Sequence, residues 1–141
     1  MDIFGGMGTS DEPGRNGQIL VEVAALQARA RESKGARRYQ EAGRELAGGY
    51  ALLGIERRSL QLATPDQVQR GLVAPELLRP LAELLAHEAD LLRLEGDTDS
   101  AAASARWTLS ALLAGAPPGD YSSLMRALLA LAERRPPPEA L

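Results

Sequence analysis

Few residues in this chain are of a type that does chemistry, and they are scattered. His87 is the only histidine and there is no cysteine, so thiolate catalysis, disulfides and cysteine-based metal sites are excluded. On a helix His87 shares a face with Glu83 and Leu91, and a carboxylate and an imidazole one turn apart can ligate a metal. Two ligands make a weak site, and no further histidine or cysteine completes it. The favoured reading of His87 is a surface or partly satisfied side chain, with Glu88, Asp90 and Glu95 as solvated helix-face acids. No serine sits in a strained elbow with a base beside it, so a nucleophile triad is not visible. Gly5-Gly6-Met7-Gly8 is glycine-rich, but no Lys-Ser or Lys-Thr pair and no strand accompanies it, which makes it a linker rather than a phosphate loop. The chain is therefore expected to be no enzyme, with no catalytic residue, cofactor or metal.

The elements that would position these residues are helical. Apolar content comes almost wholly from Leu and Ala, with one Phe (Phe4) and one Trp (Trp107), and β-branched residues are scarce. A length of 141 residues suits one domain with a real core. Residues 1–17 lack periodicity and are expected to be a flexible arm. Ile19, Val23, Leu26 and Ala30 then mark a helix over about 18–34. A second helix is expected over 38–63, with Gly48-Gly49 explained by either a close helix crossing or a kink, and Gly54 offering a break that would divide it in two. Thr64-Pro65-Asp66-Gln67 has the residues of a capping box and begins a short connector. A leucine-rich stripe over 75–95 is broad enough to be buried on two sides and marks the central helix, its regular part starting near Arg79 because Pro80 lacks an amide. Helices follow over 99–114 and from Asp120 to about 134, before the Pro136-Pro137-Pro138 tail. Trp107 is expected to be buried against the central helix. The expected fold is all-α: a bundle of about five main helices in antiparallel hairpins, with a single domain over 18–135 and a proline-rich tail over 136–141.

Gly35 with Tyr39 and Ala42, and Gly96 with Asp97 and Ala101 or Ala102, are placed like the turns of helical hairpins, each Gly taking the left-handed conformation that ends a helix. In these residues the chain resembles tetratricopeptide repeats, as two hairpins separated by a connector. It is also similar, through Tyr39-Gln40-Glu41-Ala42, Ala82-Glu83-Leu84-Leu85 and Gly96-Asp97, to a family of small bacterial helical proteins of unknown function. That resemblance implies a fold and no activity.

The net charge is −3, but its distribution is uneven: residues 15–70 carry +4, residues 71–141 carry −4, and the first fourteen residues −3. Lys34 is the single lysine, which reads as the codon bias of a GC-rich genome. Arg37-Arg38 and Arg57-Arg58 would come close if the hairpins pack, but an acidic, aromatic-poor chain does not suit nucleic acid. The expected role is a non-catalytic protein-interaction module, contacting its partner through the groove between hairpins or through the arm. Its candidate contact residues are Ile3, Phe4, Met7, Arg37, Arg38, Arg57 and Arg58. The alternative is a structural or accessory subunit of a homo-oligomer or larger assembly. With no secretory signal and no apolar run long enough for a membrane span, a cytoplasmic protein without membrane insertion is the expectation.

Overall fold

The computed structural model describes residues 5–138, of which 5–16 and Gln69 are described by their backbone alone. Seven α-helices follow one another: α1 (Gly5–Gly35), α2 (Tyr39–Leu52), α3 (Arg57–Gln61), α4 (Pro65–Gln67), α5 (Pro75–Leu94), α6 (Thr98–Gly115) and α7 (Ser122–Ala132). A π-helical turn, Val68–Leu72, links α4 to the loop before α5. Among the described residues there is no strand. The five longer helices form antiparallel hairpins, α1 on α2, α5 on α6 and α6 on α7, and α5 also touches α1, α2 and α7. The helical backbone of α1 extends well ahead of residue 18. Ile3 and Phe4 lie outside the described residues, as does the Met7 side chain; of the arm expected over 1–17, residues 1–4 lie outside them and the backbone of 5–17 is helical.

The reason α5 is central is the width of its apolar stripe. Leu78, Leu81, Leu84, Leu85, Ala86 and Ala89 are all buried, which leaves little of its circumference for solvent. It is regular from Pro75 onward, so the expectation of a start near Arg79 is corrected. Pro75 occupies the first turn, the Leu77 amide bonds the Ala74 carbonyl at 2.9 Å, and the Pro80 ring is buried in the core. The one carbonyl that Pro80 deprives of a bond belongs to Glu76, an exposed residue at the first turn, so the loss is borne at the solvent-facing end of the helix.

Gly48-Gly49 marks a close crossing rather than a kink. A Cβ on Gly49 would stand 2.7 Å from Leu84 Cδ2, and one on Gly48 3.3 Å from Leu26 Cδ1, so α2 uses these two glycines to approach α5 and α1. Gly54, at φ 71°, divides the expected second helix into α2 and α3. Gly71, at φ 104°, ends the connector that the Thr64/Gln67 capping box begins.

Two reversals close the main hairpins with the same pattern of backbone bonds. At the α5–α6 turn Gly96 is left-handed (φ 93°), its amide bonds the Arg93 carbonyl at 3.0 Å, and the Asp97 amide bonds the Leu92 carbonyl at 2.8 Å. At the α1–α2 turn the left-handed residue is Arg37 (φ 63°), not Gly35 as expected, with Arg37 and Arg38 amides bonding the carbonyls of Lys34 and Ser33. The helix keeps its own bonding to the end, Ala36 N–H to Glu32 at 3.0 Å, so the reversal falls after Gly35.

Two outcomes follow for stability. Gly49→Val is expected to cost about 1–3 kcal/mol or more in urea unfolding because the site has no room, whereas Gly43→Ala, whose nearest contact would be 3.9 Å from Leu91, should be neutral or stabilising by up to about 1 kcal/mol. Arg37→Gly should raise the thermal midpoint, relieving roughly 0.5–1 kcal/mol of left-handed strain net of the added freedom of the unfolded chain.

Candidate binding groove

Two polar constellations occupy the faces of α5, one sealed and one open. The sealed one joins α1 to α5. Lys34, His87 and Asp90 are each only 4 % exposed. The Lys34 ammonium donates to Asp90 Oδ2 at 3.0 Å and to His87 Nδ1 at 3.1 Å. An ammonium has no lone pair to offer, so Nδ1 is the acceptor and the imidazole is neutral with its proton on Nε2. Arg93 closes the cluster, its Nη2 lying 2.8 Å from Asp90 Oδ1. Burial pushes the Lys34 pKa down, against the opposing pull of Asp90. Burial, then the neighbouring charges of Lys34 and Arg31, hold His87 at about 3.

The expectation of a surface or partly satisfied His87 is thus corrected: it is buried and bonded. Asp90 is likewise no solvated acid. The Glu83–His87 metal pairing dissolves into separate partners, since Glu83 accepts from Gln27 and Arg79 while His87 faces Lys34. Among the described residues no group of three or more His, Asp or Glu side chains is placed to hold a metal.

The open constellation lies between the hairpins, where α2 and α3 face α6 across α5. Here Glu88 accepts on both carboxylate oxygens. Oε1 takes the Tyr50 hydroxyl at 2.9 Å and Arg57 Nε at 3.1 Å, and Oε2 takes Arg57 Nε at 3.2 Å and Nη2 at 2.6 Å. The Arg57 guanidinium also sits 5.8 Å from the centre of the Tyr50 ring. Burial disfavours the Arg57 charge, but hydrogen bonding and attraction from Glu88 outweigh it and raise its pKa. Burial, reinforced by Glu88, lifts the Tyr50 hydroxyl well above its ordinary value.

This ion pair stands between two hollows. One, of about 340 Å³, is walled by Trp107, Leu60, Leu85 and Leu92, with Ser100 and Ser104 on the α6 side. The other, of about 280 Å³, is walled by Leu46, Tyr50, Ile55 and Leu91. Arg57 and Glu88 line both. Trp107, expected to be buried, is half-buried at the rim of the first hollow, its indole N–H donating to the Ala63 carbonyl at 2.9 Å. That bond turns one edge of the ring toward the connector and leaves the side chain as a wall of the hollow.

Comparison with protein-family models, with curated proteins and with solved structures returns no match. The groove is therefore read from its own chemistry.

Of the four arginines singled out in the sequence, only Arg57 belongs to the groove. Arg37 is exposed at the left-handed turn, Arg38 pairs with Glu41 at 2.7 Å, and Arg58 is exposed on α3. Sequence reasoning missed Glu88, Tyr50 and the groove role of Trp107. A signal for Tyr50 and Glu88 existed, since each is a polar-tipped residue beside an apolar stripe. The lone lysine was a similar signal for Lys34. No helix of the described residues is long and apolar enough to cross a membrane.

The neutral His87 makes stability depend on pH. Its folded pKa of about 3 lies below the ordinary 6.5, so between these values the unfolded chain holds the extra proton and stability falls as pH falls. At full effect this residue contributes a slope of about 1.4 kcal/mol per pH unit within that window. His87→Gln, measured by urea unfolding at several pH values from 7 to 3.5, should flatten the profile by that component; an unchanged slope would show that the imidazole is not held neutral.

Proposed function

We propose that this chain is a non-catalytic interaction module that holds a segment of another protein in the groove between its hairpins. The observation that carries this reading is the paired hollow along α5, largely apolar in its walls and crossed by one ion pair. Hollows of this size accept whole side chains, and a concave apolar surface with a few placed polar groups is what binding sites share. The resemblance of the Gly-turn hairpins to tetratricopeptide repeats, and to a small bacterial helical family, supports the same use of an inter-hairpin surface. A cytoplasmic location belongs to this proposal as well. Chemistry is a poor alternative, because the one histidine is sealed beneath α1 and the groove carboxylate, Glu88, is held in an ion pair with Arg57 rather than left free as a base.

A second reading, that of a structural or accessory subunit, rests on another observation. Leu62, Leu113 and Leu72 are 83, 75 and 53 % exposed, and Leu62 and Leu72 border one shallow hollow at the connector. Exposed leucines of this kind suit contact with a second copy or a larger assembly.

A photo-reactive phenylalanine analogue at Ala103, an exposed residue of the groove wall, separates the two readings. Illumination in the source cell should attach one discrete partner at Ala103 and none when the same analogue replaces Ala28 on the exposed face of α1. Identical products from both sites, or only a product of twice the chain mass together with a dimer in light scattering, would reject the module in favour of the subunit.

A further inference from the structure

The hydrogen-bond inventory of the groove is lopsided. Glu88 has committed both oxygens to protein donors: it receives three hydrogens, from the Tyr50 hydroxyl and from Nε and Nη2 of Arg57, the single Nε hydrogen being shared between the two oxygens, which leaves little of a carboxylate's usual capacity. Arg57 uses only Nε and Nη2 in that pair, and among the described residues its Nη1 makes no hydrogen bond. Its side chain remains a quarter exposed and lines both hollows. The unspent polar capacity at the waist of the groove is thus donor capacity on a permanent cation, flanked on either side by apolar walls.

The geometry points to an acidic side chain as the anchor of the bound segment, an Asp or Glu lying between two apolar residues. This rests on the groove reading above and narrows it. The carboxylate shares Arg57 with Glu88, using Nη1 and the second hydrogen of Nη2. One apolar neighbour enters the hollow walled by Trp107, Leu60 and Leu85, the other the hollow walled by Leu46, Ile55 and Leu91. A basic anchor is disfavoured because Glu88 is already paired with Arg57 and has little acceptor capacity left, and the incoming cation would sit against the Arg57 guanidinium. A neutral polar anchor fits the donors but forgoes the charge.

Three capped tripeptides test this on the full-length, isotope-labelled protein: acetyl-Leu-Glu-Leu-amide and its versions with Gln or Lys at the centre. Binding is read by NMR from the indole N–H of Trp107, the chain's only tryptophan, and from the Gly43 and Ala47 amides beside the second hollow. The Glu peptide should shift both sets and bind about fivefold to tenfold more tightly than the Gln peptide, with the Lys peptide weakest. Arg57→Gln should abolish the preference for Glu over Gln. If that variant fails to fold, Arg57→Gln combined with Glu88→Gln removes both charges of the pair together and must give the same loss of preference. Equal binding of all three peptides in the groove, or preference for Lys, overturns the acidic anchor while leaving the groove as a binding surface. Shifts confined to residues outside the two hollows, or none from any peptide, overturn both.

Discussion

The close approach of α2 to α5 is the constraint on which the rest of the molecule depends. It exists because Gly49 presents no side chain where Leu84 needs the space, and because Ala42, two turns earlier on the same face, is small enough to be wholly buried. With the two backbones this near, Tyr50 is carried over α5 and its hydroxyl reaches Glu88. The break at Gly54 then turns α3 so that Arg57 meets the same carboxylate from the other side. The groove is therefore a consequence of a tight contact at one height and a divergence above it. A bulkier residue at position 49 would alter the spacing of every group in the ion pair as well as the core.

The sealed cluster under α1 performs a different task. Apolar faces slide past one another at little cost, but an ammonium taken out of water must find its acceptors, so Lys34 selects the one register of α1 at which Asp90 and His87 lie within reach. Lysine suits this place because a compact ammonium on a flexible stem donates to two acceptors on different side chains at once. Arg93 leaves Asp90 balanced between two cations. The neutral imidazole avoids adding a third positive charge to the same pocket. The same arrangement removes the only histidine from solvent, which is why the chain's obvious chemical group takes no part in the open site.

Both constellations hang from the same turn of α5, on different faces, with Glu88 falling between His87 and Asp90 in the chain, but they differ in what they leave over. In the sealed cluster Lys34 reaches both of its acceptors, and only Arg93, at its edge, reaches the surface. At the groove Arg57 keeps more unspent donors than Glu88 keeps acceptors, so polarity remains available just where the apolar walls part. A binding surface differs from a buried network in this remainder, and here it has a sign.

The sequence by itself determined the helical class, the order of the main helices and the centrality of α5, because Leu/Ala periodicity and punctuation by Gly and Pro are local signals. It also made the capping box at Thr64 legible, since all its bonds lie within four residues. Where local signals competed, the outcome was tertiary. Pro80 failed to delay α5 because its ring gained burial, and the left-handed residue of the first turn fell on Arg37 because α1 kept its bonds through Gly35. The pairings of Lys34 with Asp90, 56 positions away, and of Arg57 with Glu88, 31 positions away, were decided only by the packing of hairpins. Charge and hydrogen bonding act through space, and periodicity along the chain says which face a residue occupies but not whose carboxylate that face will meet.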